Sequence, residues 1–114
     1  MSVENETRQV DDGDVKVLTT FDEETGEVLD AISSETALEI ISMLSDGSMV
    51  PKDIAERLGT SIQNVRYHLD KMENAGLVET DGFRYSERGR EMSFYRVAES
   101  PTVIVFGGRA GGDA

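Results

Sequence analysis

The sequence predicts an α+β chain built on a winged helix-turn-helix: three helices, a two- to three-stranded antiparallel wing, and an additional C-terminal strand. Three observations carry that expectation. Apolar residues recur at helical spacing in consecutive short segments between Ser34 and Asn74, and only Gly59 to Ser61 separates the last two segments. After Gly76 the period changes from helical to alternating.

Taken in order, residues 1–14 are polar, charged and without periodicity, which predicts an acidic disordered start. Residues 15–28 are less regular. Val15 to Phe21 alternates weakly, and "DEETGEV" (Asp22 to Val28) has a turn composition, so this stretch is expected to form a hairpin or stay extended. The winged domain is expected over 29–99. Ser34 can cap a helix whose apolar positions are Ala37, Leu38, Ile40, Ile41 and Leu44, ended by Asp46-Gly47. Pro51 suits the first turn of the next helix, which turns Ile54, Ala55 and Leu58 inward and stops at Gly59 in a left-handed conformation.

The third helix runs from about Ile62 to Asn74 and stops at Gly76. At about 100° per residue, Ile62, Val65, Leu69 and Met72 share one arc and are expected in the core. The opposite face centres on Tyr67, with Gln63, Asn64, Asp70, Lys71 and Asn74 around it and Arg66 and His68 on its flanks. Gln and Asn offer the donor and acceptor pair of an adenine edge, Arg matches guanine, and Tyr can meet a phosphate or a thymine methyl. Thr60, Ser61, Gln63, Asn64, Arg66, Tyr67, His68 and Lys71 are therefore the candidate DNA contacts of the turn and helix. The plainer alternatives are a solvated helix face, and for Tyr67 packing on the wing.

Leu77 to Ser86 and Glu91 to Val97 read as the strands of the wing, joined by "ERGR" with Gly89 at the turn. Arg84, Arg88 and Arg90 cluster at or near its tip, where backbone phosphates would lie. Pro101 then breaks the chain. Residues 100–106 hold a further apolar strand, Thr102 to Phe106, a candidate dimer contact together with the first helix, and 107–114 are expected to be a flexible tail.

Composition narrows the function. The chain has 114 residues, enough for one modest core, and a formal net charge of -12. Residues 1–39 hold 12 of the Asp and Glu residues against Arg8 and Lys16, while residues 40–114 hold 11 against 9 basic side chains. With 8 arginines and only 3 lysines, the balance resembles that of proteins from extreme halophiles, where molar salt screens the self-repulsion of a carboxylate-rich surface; a mesophilic protein with an acidic tail is the alternative. There is no cysteine, which excludes thiolate chemistry and disulfides, and His68 is the sole histidine, so no metal site and no cofactor is expected. The start lacks the basic and apolar runs of a signal peptide and no apolar stretch is long enough for a membrane span, so a cytoplasmic location is expected. No nucleophile–base set or Gly-rich phosphate loop points to an enzyme.

The run "SSETALEIISMLSDG…IAERLGTSIQNVRYHLDKMENAGLVE…YSERGREMSFYRV" resembles the winged helix-turn-helix of ArsR-type transcriptional regulators, over about Leu29 to Val97. Within that family it is most similar to the haloarchaeal branch that lacks metal-binding cysteines. The most telling pieces are "VRYHLDKMENAGLVE" and "GFRYSERGREMSFYRV". The resemblance implies a homodimeric regulator bound to double-stranded DNA, its recognition helix in the major groove. It also sets a contrast: the cysteine pair or Asp/His clusters of the metal-sensing branch have no counterpart here. The competing function is a winged-helix module that binds a protein partner through the same helix.

Overall fold

The structure is a computed structural model that describes residues 15–108. The expected disorder of 1–14, and the tail from residue 109 on, fall outside the described residues. The chain divides into two compact units; among the described residues one comprises 15–26 and 99–108, the other 27–98.

The smaller unit is a parallel pair of strands. β1 (Lys16–Thr19) lies beside β4 (Thr102–Val105), with Val17 opposite Val103 and Leu18 opposite Ile104. The C-terminal strand expected from "TVIVF" is therefore present, one residue shorter than expected.

Of the two forms expected for residues 15–28, the extended one holds for Lys16–Thr19 and the hairpin does not form. Asp22 instead starts a helix, α1 (Glu23–Ala31), which crosses from one unit into the other. Its start is held by local bonds: the Thr19 N–H donates to the Asp22 carboxylate at 2.7 Å, the Thr25 N–H to the Asp22 carbonyl, and the Thr25 hydroxyl to the Thr19 carbonyl. Glu23 and Glu24 in the first turn suit the positive end of the helix dipole. Thr25, Val28 and Ala31, three residues apart, are its buried positions. Among the described residues there are thus four helices where three were expected.

The larger unit is a winged helix-turn-helix. α2 (Glu35–Leu44) begins where Ser34 accepts a hydrogen bond from the Ala37 N–H at 3.0 Å, and it buries Ala37, Ile40 and Leu44. Leu38, expected among the core positions, is 51% exposed because its angle on the helix turns it from the arc these three share. α3 (Pro51–Leu58) has Pro51 in its first turn and ends at Gly59 with φ 69°, a left-handed conformation open to glycine at little steric cost. α4 (Ile62–Asn74) is capped by Ser61, whose hydroxyl accepts from the Asn64 N–H at 3.0 Å, a cap worth about 1 kcal/mol. Val65, Leu69 and Met72 of α4 are fully buried. Truncating such a side chain to alanine costs about 2–5 kcal/mol.

Gly76 ends α4, and the Leu77 N–H closes back on the Met72 carbonyl at 2.8 Å. The wing follows: β2 (Val78–Tyr85) antiparallel to β3 (Glu91–Val97), with a register shift between Thr80 and Phe83. Its third partner is a single bridge from Met49 to Tyr95, which ties the residue pair before α3 to the wing by two backbone bonds of 2.8 and 3.0 Å. Met72 is core, as its place in the apolar arc of α4 predicts, while Met49 and Met92 are half-buried.

Candidate nucleic-acid interface

The exposed side of the larger unit is built by two local devices. The first is the turn before α4. Ser61 uses its hydroxyl as the cap acceptor, and Thr60, half-buried, accepts from the Asn64 side-chain amide at 3.2 Å. Asn64 is therefore oriented by the turn. Its amide nitrogen carries a second proton and its oxygen stays available, so it retains a donor and acceptor pair for a base edge. Gln63 and Arg66 are exposed beside it.

The second device is the wing tip. The Ser86 hydroxyl accepts from both the Arg88 and the Arg90 backbone N–H at 3.2 and 3.1 Å, and Gly89 takes φ 80°. One serine thus folds the turn and sets the exposed Arg88 and Arg90 at the tip, as expected from "ERGR".

Between the devices lies a cleft of about 850 Å³. Five cationic side chains line it, Lys52, Arg66, Arg84, Arg88 and Arg90, against the carboxylates Glu87 and Glu91. In a chain of net charge -12 this is a local reversal of sign. Lys52, exposed in the first turn of α3, was not singled out from the sequence. Its only signal there was its place just after Pro51, at the start of the helix before the turn. Ile62 was expected in the core and is instead 40% exposed on the cleft wall. Its angle on the helix matches the buried arc, but it sits in the first turn, which meets the cleft.

Other candidates are placed differently from a uniform DNA face. Tyr67 is outward and 56% exposed, with its ring edge to face with His68 at 5.1 Å and under the Lys71 ammonium at 5.3 Å. Lys71 is paired with Asp30 of α1 at 2.8 Å. That hydrogen bond raises its pKa, so it stays charged but its charge is already met. His68 is half-buried, and burial first and the Lys71 charge second lower its pKa, which favours the neutral ring. Arg84 lies on β2 near the tip, paired with Asp53 at 3.2 Å and stacked over Phe94 at 5.7 Å.

The aromatic residues are unusually placed as well. Phe83 and Tyr85 meet edge to face at 5.6 Å on the wing and are 53% and 65% exposed, whereas Tyr95 is the aromatic side chain that is buried. Aromatic rings on a surface that also holds arginines can stack on or pack against nucleotides. Among the described residues there is no group of His, Asp or Glu side chains placed to hold a metal ion, and no helix long and apolar enough to cross a membrane.

Comparison with known proteins agrees with the winged helix-turn-helix fold. Residues 32–81 match a family model described as a helix-turn-helix domain. Among solved structures, an ArsR-like transcriptional regulator from Rhodococcus sp. RHA1 is 34% identical, with 65% of this chain and 64% of that one covered and a TM-score of 0.54. Reduced HlyU from Vibrio cholerae N16961 is 25% identical over 67% of this chain and 74% of that one, with a TM-score of 0.54. The homodimeric winged helix-turn-helix DNA-binding domain of a possible ArsR-family transcriptional regulator from Mycobacterium bovis shares the fold at 24% identity and a TM-score of 0.56. The match covers 67% of this chain and spans 65% of the Mycobacterium bovis chain. No curated protein matches.

Proposed function

We propose that the chain is a sequence-specific DNA-binding transcriptional regulator of the ArsR type, acting as a homodimer. The observation that carries this reading is the cationic cleft between α3, α4 and the wing of a chain that is otherwise strongly acidic. A polyanion is the partner for which cations must outnumber carboxylates on one concave surface, here five to two, while carboxylates dominate elsewhere. The similarity to the Rhodococcus structure, an ArsR-like transcriptional regulator, supports the same class.

In this reading α4 lies in the major groove. Gln63, Asn64, Arg66 and Tyr67 face base edges, while Ser61 and Thr60 shape the turn and meet the backbone. Arg88, Arg90 and Lys52 hold phosphates on either side, and Arg84, which would first have to leave Asp53, adds less. Groove contacts specify and phosphate contacts position. Each α4 reads only a few base pairs, so two copies related by a two-fold axis reach useful specificity. Their half-sites would lie about 10 base pairs apart, one DNA turn. The carboxylate-rich remainder belongs to a cytoplasmic protein of a high-salt cell, where it keeps the surface hydrated. No cofactor enters this scheme.

Selection of bound sequences from a random DNA library, in concentrated KCl, tests the reading. An inverted repeat should emerge, and it should be bound well above scrambled DNA. Recovery of no preferred sequence would leave the winged fold as a protein-binding module.

A further inference from the structure

The two longest stretches free of Asp, Glu, Lys and Arg are Leu58 to Val65, 8 residues, and Ser100 to Gly108, 9 residues, in a chain where 30% of residues are charged. The first is the helix-turn-helix turn and the start of α4. The second contains β4.

β4 has an unguarded edge. In a parallel ladder alternate residues turn both backbone groups towards the same neighbour. The Lys16 N–H bonds the Pro101 carbonyl at 2.9 Å and Lys16 is in register with Thr102, so Val103 and Val105 serve β1 while Thr102, Ile104 and Phe106 turn theirs to the opposite edge. Among the described residues no strand pairs that edge. β1 carries Lys16, held by Glu24 at 2.9 Å, the kind of charge that deters strand addition. β4 carries none, and its proline lies before the strand. A two-stranded sheet is marginal by itself, and parallel strands are ordinarily covered on both faces. Here Val17, Val103 and Val105 stay 51%, 39% and 47% exposed, and Phe106 is 58% exposed.

We infer that β4 pairs antiparallel with β4 of a second copy about a two-fold axis at Ile104, completing a four-stranded sheet in the order β1-β4-β4-β1. This rests on the homodimer reading and names its joint. The register pairs Ile104 with the partner's Ile104, Val103 with the partner's Val105, and Thr102 with the partner's Phe106. Exposed valines then adjoin across the seam, and Phe106 covers a threonine. A second copy is the fitting occupant on charge. Two chains of net charge -12 repel, and they meet at least cost along a surface that bears no carboxylate. A basic partner would find nothing on this strand to pair with.

The chain has no cysteine, so Ile104→Cys introduces a single thiol. Directly opposed residues of a hydrogen-bonded antiparallel pair lie about 5.5 Å apart at Cα, inside the range a disulfide spans. Mild oxidation of the full chain should convert Ile104→Cys to a covalent dimer, while Glu56→Cys, exposed on α3, should remain a monomer on a non-reducing gel. Ile104→Pro removes the N–H of the open edge and spares the β1 ladder, so sedimentation should show its dimer dissociating at concentrations at least about tenfold above the parent's, as expected for lost hydrogen bonds. If Ile104→Pro does not fold, the cysteine variant decides. A parent dimer with Ile104→Cys uncrosslinked overturns the strand pairing and leaves the homodimer standing. A parent that sediments as a monomer at tens of micromolar overturns both.

Discussion

Asp30 decides what Lys71 can contribute. Although Lys71 lies on the outward face of α4, its ammonium is held by Asp30 at 2.8 Å and shared with the Tyr67 ring. To reach a phosphate it would have to leave a partner of the same sign as the phosphate, so its gain is small. Lys71→Ala is therefore expected to lower DNA affinity far less than loss of Arg88 and Arg90. Asp30→Asn should free the ammonium, strengthen binding to all DNA in dilute salt, and steepen the salt dependence by about one unit of slope. Fluorescence anisotropy at several KCl concentrations reads both effects. An Asp30→Asn protein with unchanged slope would mean that Lys71 never reaches the backbone.

His68 gives a pH signature at the same scale. Its folded pKa is lowered, chiefly by burial and then by Lys71, so the unfolded chain binds its proton more readily. Stability from this ring is thus fully present above the unfolded value of about 6.5 and declines as pH falls towards the lowered folded value. His68→Gln should flatten the pH dependence of urea midpoints in that window relative to the parent. Parallel curves for the two proteins would remove His68 from the balance.

Among the elements, α1 shows how composition can hide a period. "DEETGEV" reads as a turn because of Asp22, Thr25 and Gly26, yet Thr25, Val28 and Ala31 already hold the buried positions of a helix. Gly26 sits inside that helix, and a Cβ placed on it would meet nothing within 4 Å. Gly26→Ala is accordingly expected to stabilise the protein by about 0.4–1 kcal/mol, through lower chain entropy in the unfolded state and better helix propensity. Thermal unfolding checks this, and a lower midpoint would argue that the helix is not formed in solution. At Gly89 the opposite holds: φ 80° makes Gly89→Ala strained and should loosen the wing tip.

The helix-turn-helix and the wing were legible because each is written locally. Ser34 is a cap, Gly59 is a stop, and the switch to alternation after Gly76 marks the strands. The β1–β4 pairing was not legible, since its partners lie at opposite ends of the chain and no local pattern specifies parallel register. Nor could a helical wheel place Ile62 on the cleft or give Lys71 to Asp30, because both depend on where neighbouring elements pass.

At the scale of the whole molecule, charge placement predicts the response to salt. A basic regulator with about 6–10 phosphate contacts loses several decades of affinity over a modest rise in salt. Here the cleft offers five cations, with Glu87 and Glu91 among them and Arg84 already bound to Asp53. Bringing these carboxylates towards DNA requires cation uptake, which opposes cation release. Log affinity should therefore fall only shallowly with log KCl, with specific binding persisting above about 1 M. The Glu87→Gln, Glu91→Gln double variant should bind more tightly in dilute salt and lose affinity more steeply. A steep loss in the parent, equal to that of the variant, would refute the high-salt reading without touching the fold.

This division of labour, in which α4 specifies a sequence and the wing holds the backbone, is the core of the proposed function. It is tested most directly by measuring affinity for the selected operator and for scrambled DNA in parallel, with the parent, Gln63→Ala and the Arg88→Ala, Arg90→Ala double variant. Gln63→Ala should lose about 1–3 kcal/mol on the operator and almost nothing on scrambled DNA, whereas the wing variant should weaken on both. Equal losses on the two DNAs for Gln63→Ala, or an operator affinity that does not change, would contradict the assignment of α4 as the reading helix.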